Sequence, residues 1–188
     1  MTLTAHIDED CRCLSRYFQK LFEVFREALA EDRVAPIEIV DPYASEPQQT
    51  FFGISHLIKP DMVVNIYSLV EFWLQKICDH QKHKKQLSLR YKVIKGSNDL
   101  HAYHKYLTDY AGLDLSAADT SYKCLDDLRK VRNRLIHNGG HLASGEEKEF
   151  SGISGIALAV GTLIVVEESF IWNALDHAKK YLYAAAQA

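Results

Sequence analysis

The sequence lacks an apolar run long enough to cross a bilayer. Its longest apolar stretch, ISGIALAVGTLIVV, covers 14 residues and contains two glycines, whereas a transmembrane helix needs about 20 apolar residues. The first residues, MTLTAHIDED, also lack the basic start and apolar core of a secretory signal peptide. These absences argue against a membrane protein and lead us to expect a cytoplasmic location.

The sequence also has few cysteines and no excess of basic over acidic residues. There are four cysteines; Cys11 and Cys13 are too close to bridge comfortably, and Cys78 and Cys124 lie in apolar helical patterns. We therefore expect reduced thiols, as in a cytoplasmic protein, rather than a disulfide framework. The formal net charge is −3, which excludes a surface that binds nucleic acid throughout, so any contact with RNA would be local.

What the sequence does contain is helical periodicity. A length of 188 residues with 47% apolar side chains predicts one domain with its own core. Apolar spacings of three and four predict about five helices, and alternation around Gly161-Thr162 predicts a β-hairpin with a two-residue turn. The predicted helices cover residues 8–30, 54 or 61 to 80, 97–112, 119 or 120 to 138, and 167–185.

The predicted fold is thus an all-α bundle of about five helices with a small C-terminal β-hairpin. Residues 1–53 supply an N-terminal helix and a loop with three prolines, which includes a short extended piece at 37–40, and residues 54–188 form the rest of the single domain, 1–188. Local signals predict the helix ends: Pro60 opens or kinks the second helix, and Ser97 caps the third. Gly112 ends that helix, and Asp119 or Thr120 caps the fourth.

The end of the fourth helix carries the clearest chemical signal, RKVRNRLIHNGG. Cleavage of RNA without metal requires proton transfer at the 2′-OH and the 5′-oxygen, together with stabilisation of a charged phosphorane. His137 can serve as acid or base near neutral pH, Arg132 can hold phosphate oxygens, and Asn133 lies one turn before His137 on the same face. The simpler alternative is that these cations complement the negative end of the helix dipole.

The geometry of this segment favours a second subunit. Arg132 and His137 are five residues apart, or about 140° around an ideal helix, so they do not share a face. A two-fold interface along the helix at 120–138 would bring two copies together and double the cations. We therefore predict a homodimer through this helix, with Asp126, Asp127 or Glu71 helping to offset the repulsion between like charges.

The segment LDDLRKVRNRLIHNGG, with SLVEFWL before it and GIALAVGTLIVVEESF after it, resembles the HEPN superfamily of small helical domains. The resemblance covers most of residues 54–186, and the family's signature of an arginine, a polar residue and a later histidine falls on Arg132, Asn133 and His137. It implies a helical bundle that dimerises through the motif helices and cleaves RNA without metal, often as a toxin or in phage defence. A toxin of this kind would have a cognate antitoxin protein as partner. Other members are inactive binding modules, which would pair with a nucleotidyltransferase or another small protein encoded beside them.

Supporting residues come from two other places. Glu71 lies inside an apolar helical run and needs a partner if it is buried, which could be Arg132 or Arg134; alternatively, it points to solvent. The basic run from Lys76 to Lys95 includes Lys82, Lys84 and Lys85, which could contact an RNA backbone or simply form a solvated helix end.

No cofactor is expected. The sequence has no phosphate-binding Walker loop, no G-x-S-x-G and no H-E-x-x-H. His80 with His83, and His101 with His104, have helical spacing that could reach one metal ion. Neither pair has the additional ligands of a structural zinc site, so we predict no bound metal.

Overall fold

A computed structural model describes residues 2–34, 57–159 and 161–187, and for residues 28–34 it describes the backbone alone. The predicted extended piece at 37–40 and the prolines around it lie outside the described residues. Within them, six helices are present: α1 (Leu3–Val34), α2 (Lys59–Lys84), α3 (Asp99–Lys105), α4 (Asp119–Asn138), α5 (Glu147–Ser151) and α6 (Glu168–Gln187). One antiparallel hairpin joins β1 (Ile156–Ala159) to β2 (Leu163–Val166). The prediction of an all-α fold with a C-terminal hairpin is confirmed.

Helix α6 is the centre of the bundle, because it packs against α1, α2 and α4. Its apolar side chains recur every three or four residues, so one wide face is buried. The predicted core positions on this helix are all buried, together with Tyr181 and Ala185: Phe170, Ile171, Ala174, Leu175, Ala178 and Leu182. Helix α4 presses Leu125, Leu128 and Val131 into the same core with no exposed surface, and each such burial stabilises the fold by about 1.5–3 kcal/mol.

Several helix ends differ from the sequence prediction. Helix α1 begins at Leu3 and continues to Val34, into the predicted loop. The cap of α3 is Asn98, whose side chain accepts a hydrogen bond from the His101 N–H, so the prediction of Ser97 was wrong. Helix α4 has Ala118 at its N-cap position and no capping side chain.

The prediction that Asp119 or Thr120 caps α4 was therefore wrong as well. A short 3₁₀ turn, Ser116–Ala118, runs directly into α4, so the backbone is already helical where a capping residue would need an extended conformation. Pro60 falls in the first turn of α2 and opens that helix, where its missing N–H costs nothing. Helix α3 continues directly into a short π-helix, Tyr106–Tyr110. Gly112 follows it with a φ of +63°.

The hairpin holds the end of α4 in place. Gly139 ends the helix in the left-handed conformation, which glycine adopts without steric cost. The Ile164 N–H then donates to the Gly140 carbonyl over 2.9 Å, and the Leu142 N–H donates to the Thr162 carbonyl over 3.0 Å. The chain leaving the motif helix thus runs alongside β2, which fixes the direction of the last helical turn.

The predicted hairpin is present, and its last described pair is Ala159 with Leu163. Residue 160, which directly precedes the predicted Gly161-Thr162 turn, lies outside the described residues. The short helix α5 was not predicted at all. Its five residues are too few to display a helical period in the sequence.

Candidate functional site

The outer face of α4 carries a row of polar side chains opposite its buried face. Because the helix repeats about every 3.6 residues, burial of Leu125 and Leu128 turns the other side of α4 outward. The outward row consists of Tyr122, Asp126, Arg129, Asn133 and His137. All but the last are half-buried, and His137 is exposed. The row ends where Gly139 terminates the helix.

The C-terminal half of this row lines a groove of about 230 Å³ between α4 and the segment that leads into α5. The groove is lined by Arg129, Lys130, Asn133, Arg134, His137, Asn138, Glu146, Glu149 and Phe150. Three of the residues singled out in the sequence, Asn133, Arg134 and His137, are therefore brought together on one wall. The exposed imidazole is open to a ligand, and the Asn133 amide lies one helical turn away from it.

Arg132 is not part of that wall. Its guanidinium carbon lies 5.5 Å from the centre of the Tyr67 ring on α2, in a cation–π arrangement. Its Nη1 donates to Oδ1 of Asn133 over 3.0 Å. Its Nε is buried and has no hydrogen-bond partner among the described residues. Arg132 thus lies outside the groove and contacts its wall through the hydrogen bond to the Asn133 amide.

Glu71 is half-buried on α2, on the Arg132 side of the motif helix. Burial raises the pKa of Glu71, the charge of Arg132 opposes that shift, and the charge of Asp99 adds to it. No ion pair within 4.0 Å joins Glu71 to a cation in the described part of the chain. The two candidate partners differ: Arg132 is close enough to influence the carboxyl, whereas Arg134 is bound to Glu146 instead.

Three acids hold the groove cations, and of these the sequence analysis connected Asp126 to the site but not Glu146 or Glu149. Arg129 pairs with Asp126 at 2.8 Å, and Lys130 pairs with Glu149 at 2.8 Å. Arg134 pairs with Glu146. Glu146 and Glu149 follow the motif helix in the chain, but only the reversal of the chain at Gly139–Gly140 returns them to its surface. No spacing rule in the sequence signals such contacts across a loop.

The lysines proposed as weak RNA contacts lie elsewhere. Lys82, Lys84 and Lys85 are at the C-terminal end of α2, and Lys85 donates to the Ala111 carbonyl. Arg132 contacts α2 at Tyr67. Tyr67 is 17 residues before Lys84 on this helix, or roughly 26 Å away along the helix axis. The structure does not bring these lysines to the groove.

Neither histidine pair is joined by a third possible metal ligand among the described residues. His101 Nδ1 lies 3.3 Å from the Tyr122 hydroxyl, and His104 Nδ1 lies 2.7 Å from the Tyr181 hydroxyl. Burial lowers the pKa of His104. Across residues 2–34, 57–159 and 161–187, no cluster of three or more histidine, cysteine or acidic side chains could hold a metal ion.

Comparison with known proteins leaves the family open. No protein-family model, no curated protein and no solved structure matches this chain. Within the described part of the chain, no helix has the length and apolar character needed to cross a membrane. The arrangement of side chains around α4 is therefore the feature that bears on function.

Proposed function

We propose that this protein is a metal-independent endoribonuclease of the HEPN type, acting in a toxin or phage-defence role, with its active groove at the C-terminal half of α4. The observation that carries the proposal is the placement of His137 and Asn133 on one wall of an open groove, with Arg132 bonded to Asn133 from behind. A titratable group, a hydrogen-bonding amide and a permanent cation are the groups that this reaction needs.

In the reaction, the 2′-oxygen attacks the adjacent phosphorus and the bond to the 5′-oxygen breaks. His137 either removes the proton from the 2′-OH or supplies one to the leaving 5′-oxygen, and the partner subunit's His137 takes the complementary step. The products are a 2′,3′-cyclic phosphate and a free 5′-hydroxyl. DNA lacks the 2′-OH and is not cleaved.

Arg132 and Asn133 have connected roles. The Arg132 charge stabilises negative charge that develops on the phosphorane, and its hydrogen bond to the Asn133 Oδ1 leaves the amide N–H groups free to donate to the phosphate or to the histidine. The Tyr67 ring adds a cation–π attraction to the guanidinium, whose carbon lies 5.5 Å from the ring centre. Glu71 contributes a nearby carboxyl that moderates the positive charge.

A homodimer through α4 completes the site. Ile136 is 45% exposed on α4, one helical turn after Arg132, and it would supply an apolar contact in such a pairing. Pairing two copies around Ile136 would place both rows along one cleft. RNA is the substrate partner, and a cognate antitoxin protein is the expected regulator.

The decisive experiment is RNA cleavage in excess EDTA, comparing the wild type with His137→Ala. Loss of a general acid–base group lowers the rate by about 10²–10⁴, so the variant should show no detectable cleavage. The matched control is His141→Ala, because His141 is also exposed and lies just beyond the groove. Cleavage only with added divalent metal, equal cleavage of DNA, or equal loss in both variants would refute the proposal.

One observation favours a second candidate, a catalytically silent binding module that pairs with another protein such as a nucleotidyltransferase. Arg129, Lys130 and Arg134 are each bound to an acid, so phosphate must displace carboxylates to reach them. Under this alternative, purified protein would not cleave RNA, and His137→Ala would leave partner binding unchanged.

A further inference from the structure

A second cavity lies on the same face of α4, nearer the start of the helix. It measures about 470 Å³ and opens between the N-terminal half of α4 and the beginning of α3. Its walls include the rings of Tyr122 and His101, the amide of Asn98 and the exposed ammonium of Lys123. The proposed reaction uses none of these side chains.

The aromatic wall is held in a fixed orientation. The Tyr122 hydroxyl lies 3.3 Å from His101 Nδ1. The Tyr122 ring stacks on His104 with centroids 4.2 Å apart and an interplanar angle of 29°. A planar ring supported in this way and only half-buried is a platform on which a second planar group can stack, as aromatic side chains do for nucleobases.

The two cavities share Arg129 as a lining residue. Along the helix axis, Tyr122 precedes Asn133 by 11 residues and His137 by 15, or roughly 16 and 22 Å. Successive nucleotides advance at least about 3.4 Å along a strand. The row from Tyr122 to His137 therefore has the length of several nucleotides, with Arg129 midway.

We propose that the outer face of α4 binds single-stranded RNA, with one base in the Tyr122 cavity while a phosphate several nucleotides away lies at His137. This inference rests on the proposed function and names its substrate class. A base in a duplex is already stacked and paired, and can enter such a cavity only after it is unpaired. Arg129 and Lys123 contact the backbone between or beside the two cavities.

The test is a binding measurement that does not depend on cleavage. A short single-stranded RNA, 2′-O-methylated at every nucleotide so that no 2′-oxygen can attack, is titrated with full-length protein in EDTA, followed by fluorescence anisotropy. One nucleotide at a time is then made abasic. At one or two positions, removal of the base should weaken binding about tenfold, within the range for loss of one stacked base.

Variants of the protein then connect that position to the cavity. Tyr122→Leu should weaken binding of the intact RNA about tenfold, and in this variant the abasic substitution should have no further effect. Tyr122→Phe retains the ring and should bind within about twofold of the wild type. Tyr17→Leu is the matched control, since Tyr17 is 49% exposed on α1, and should bind as the wild type does. Circular dichroism verifies that each variant is folded.

The outcomes separate this inference from the proposed reaction. Cleavage by the wild type with a flat abasic profile, or with Tyr122→Leu binding normally, overturns the inference and leaves the ribonuclease standing. The predicted abasic profile without any cleavage supports the binding face and refutes the reaction. Equal affinity for the same RNA annealed to a complement also overturns the inference.

Discussion

At the scale of single residues, Arg132 is the side chain whose role the geometry defines most closely. It touches the groove only through Asn133, so the two should act as one unit. We expect Arg132→Ala and Asn133→Ala each to reduce kcat/KM about 10²–10³-fold, and the double variant to lose little more than either. Fully additive losses would show that Arg132 reaches the phosphate independently.

Arg132→Lys separates charge from shape. Lysine keeps the positive charge but loses the planar fork that donates to Asn133 and makes the cation–π contact with Tyr67. We expect it to recover only part of the activity lost in Arg132→Ala, with the recovery in kcat. Full recovery by lysine would mean that only the net charge matters at this position.

Glu71 predicts a specific dependence of stability on pH. Burial raises its pKa in the folded state above the ordinary value of 4.5, against the opposing charge of Arg132. The folded protein therefore binds this proton more tightly than the unfolded chain does. As the pH rises from 4.5 through the folded pKa, the carboxyl ionises and the free energy of unfolding falls. Glu71→Gln should have a higher Tm than the wild type near pH 7, and a similar Tm near pH 4.

Glu9 is the control for this prediction, because its pKa is shifted in the opposite direction. Arg12 lowers the pKa of Glu9, so Glu9→Gln should gain nothing near pH 7. Thermal melts of the wild type and both variants at several pH values provide the comparison. A lower Tm for Glu71→Gln at pH 7 would mean that attraction to Arg132 outweighs burial.

At the scale of elements, the sequence predicts what local periodicity determines. The apolar stripe of α6 and the alternation in β1 and β2 are repeated signals, and the structure confirms both elements. A single local residue is a weaker guide: Ser97 and Asn98 are both good capping residues, and the backbone at Asn98, with φ −160° and ψ 174°, selects the second.

The site follows the same division. The pair Asn133 and His137 was predictable, because both lie on one helix at i and i+4. The cation–π contact of Arg132 with Tyr67 and the ion pair of Arg134 with Glu146 could not be predicted from the sequence. These contacts join residues from different elements, and they depend on how α2 and the loop after Gly140 pack against α4.

The packing of the hairpin against α6 predicts a sharp effect of substitution at Gly155. Its φ is +78°, and a Cβ there would lie 2.7 Å from the Phe170 backbone nitrogen. Gly155→Ala should therefore lower the free energy of unfolding by about 2–4 kcal/mol through strain and overpacking together. Gly145→Ala is the matched control, since its φ is +92° but no atom lies within 4 Å; it should cost only about 1–2 kcal/mol. Urea titration measures both, and equal losses would contradict the close-contact argument.

At the scale of the whole molecule, the distribution of charge and apolar surface relates to assembly. The chain has a net charge of −3, yet cations concentrate on α4, and three of them are offset by Asp126, Glu146 and Glu149. Two motif helices that approach one another therefore bring together paired rather than bare charges, which reduces their repulsion. In the proposed dimer, the apolar contribution to this contact would come from Ile136, which is exposed on α4.

The last prediction concerns this assembly. If two copies meet through α4, Ile136→Asp places two carboxylates in the apolar contact, where burying unpaired charge is costly, and the dimer should dissociate. Light scattering at micromolar concentration should report a dimer for the wild type and a monomer for the variant. Val24→Asp is the matched control, because Val24 is 58% exposed on α1, and it should remain dimeric. Because the proposed cleft uses His137 from both subunits, Ile136→Asp should also lose RNA cleavage while its helical circular dichroism is retained. A monomeric wild type that cleaves RNA, or a fully active monomeric variant, would show that one subunit holds the complete site.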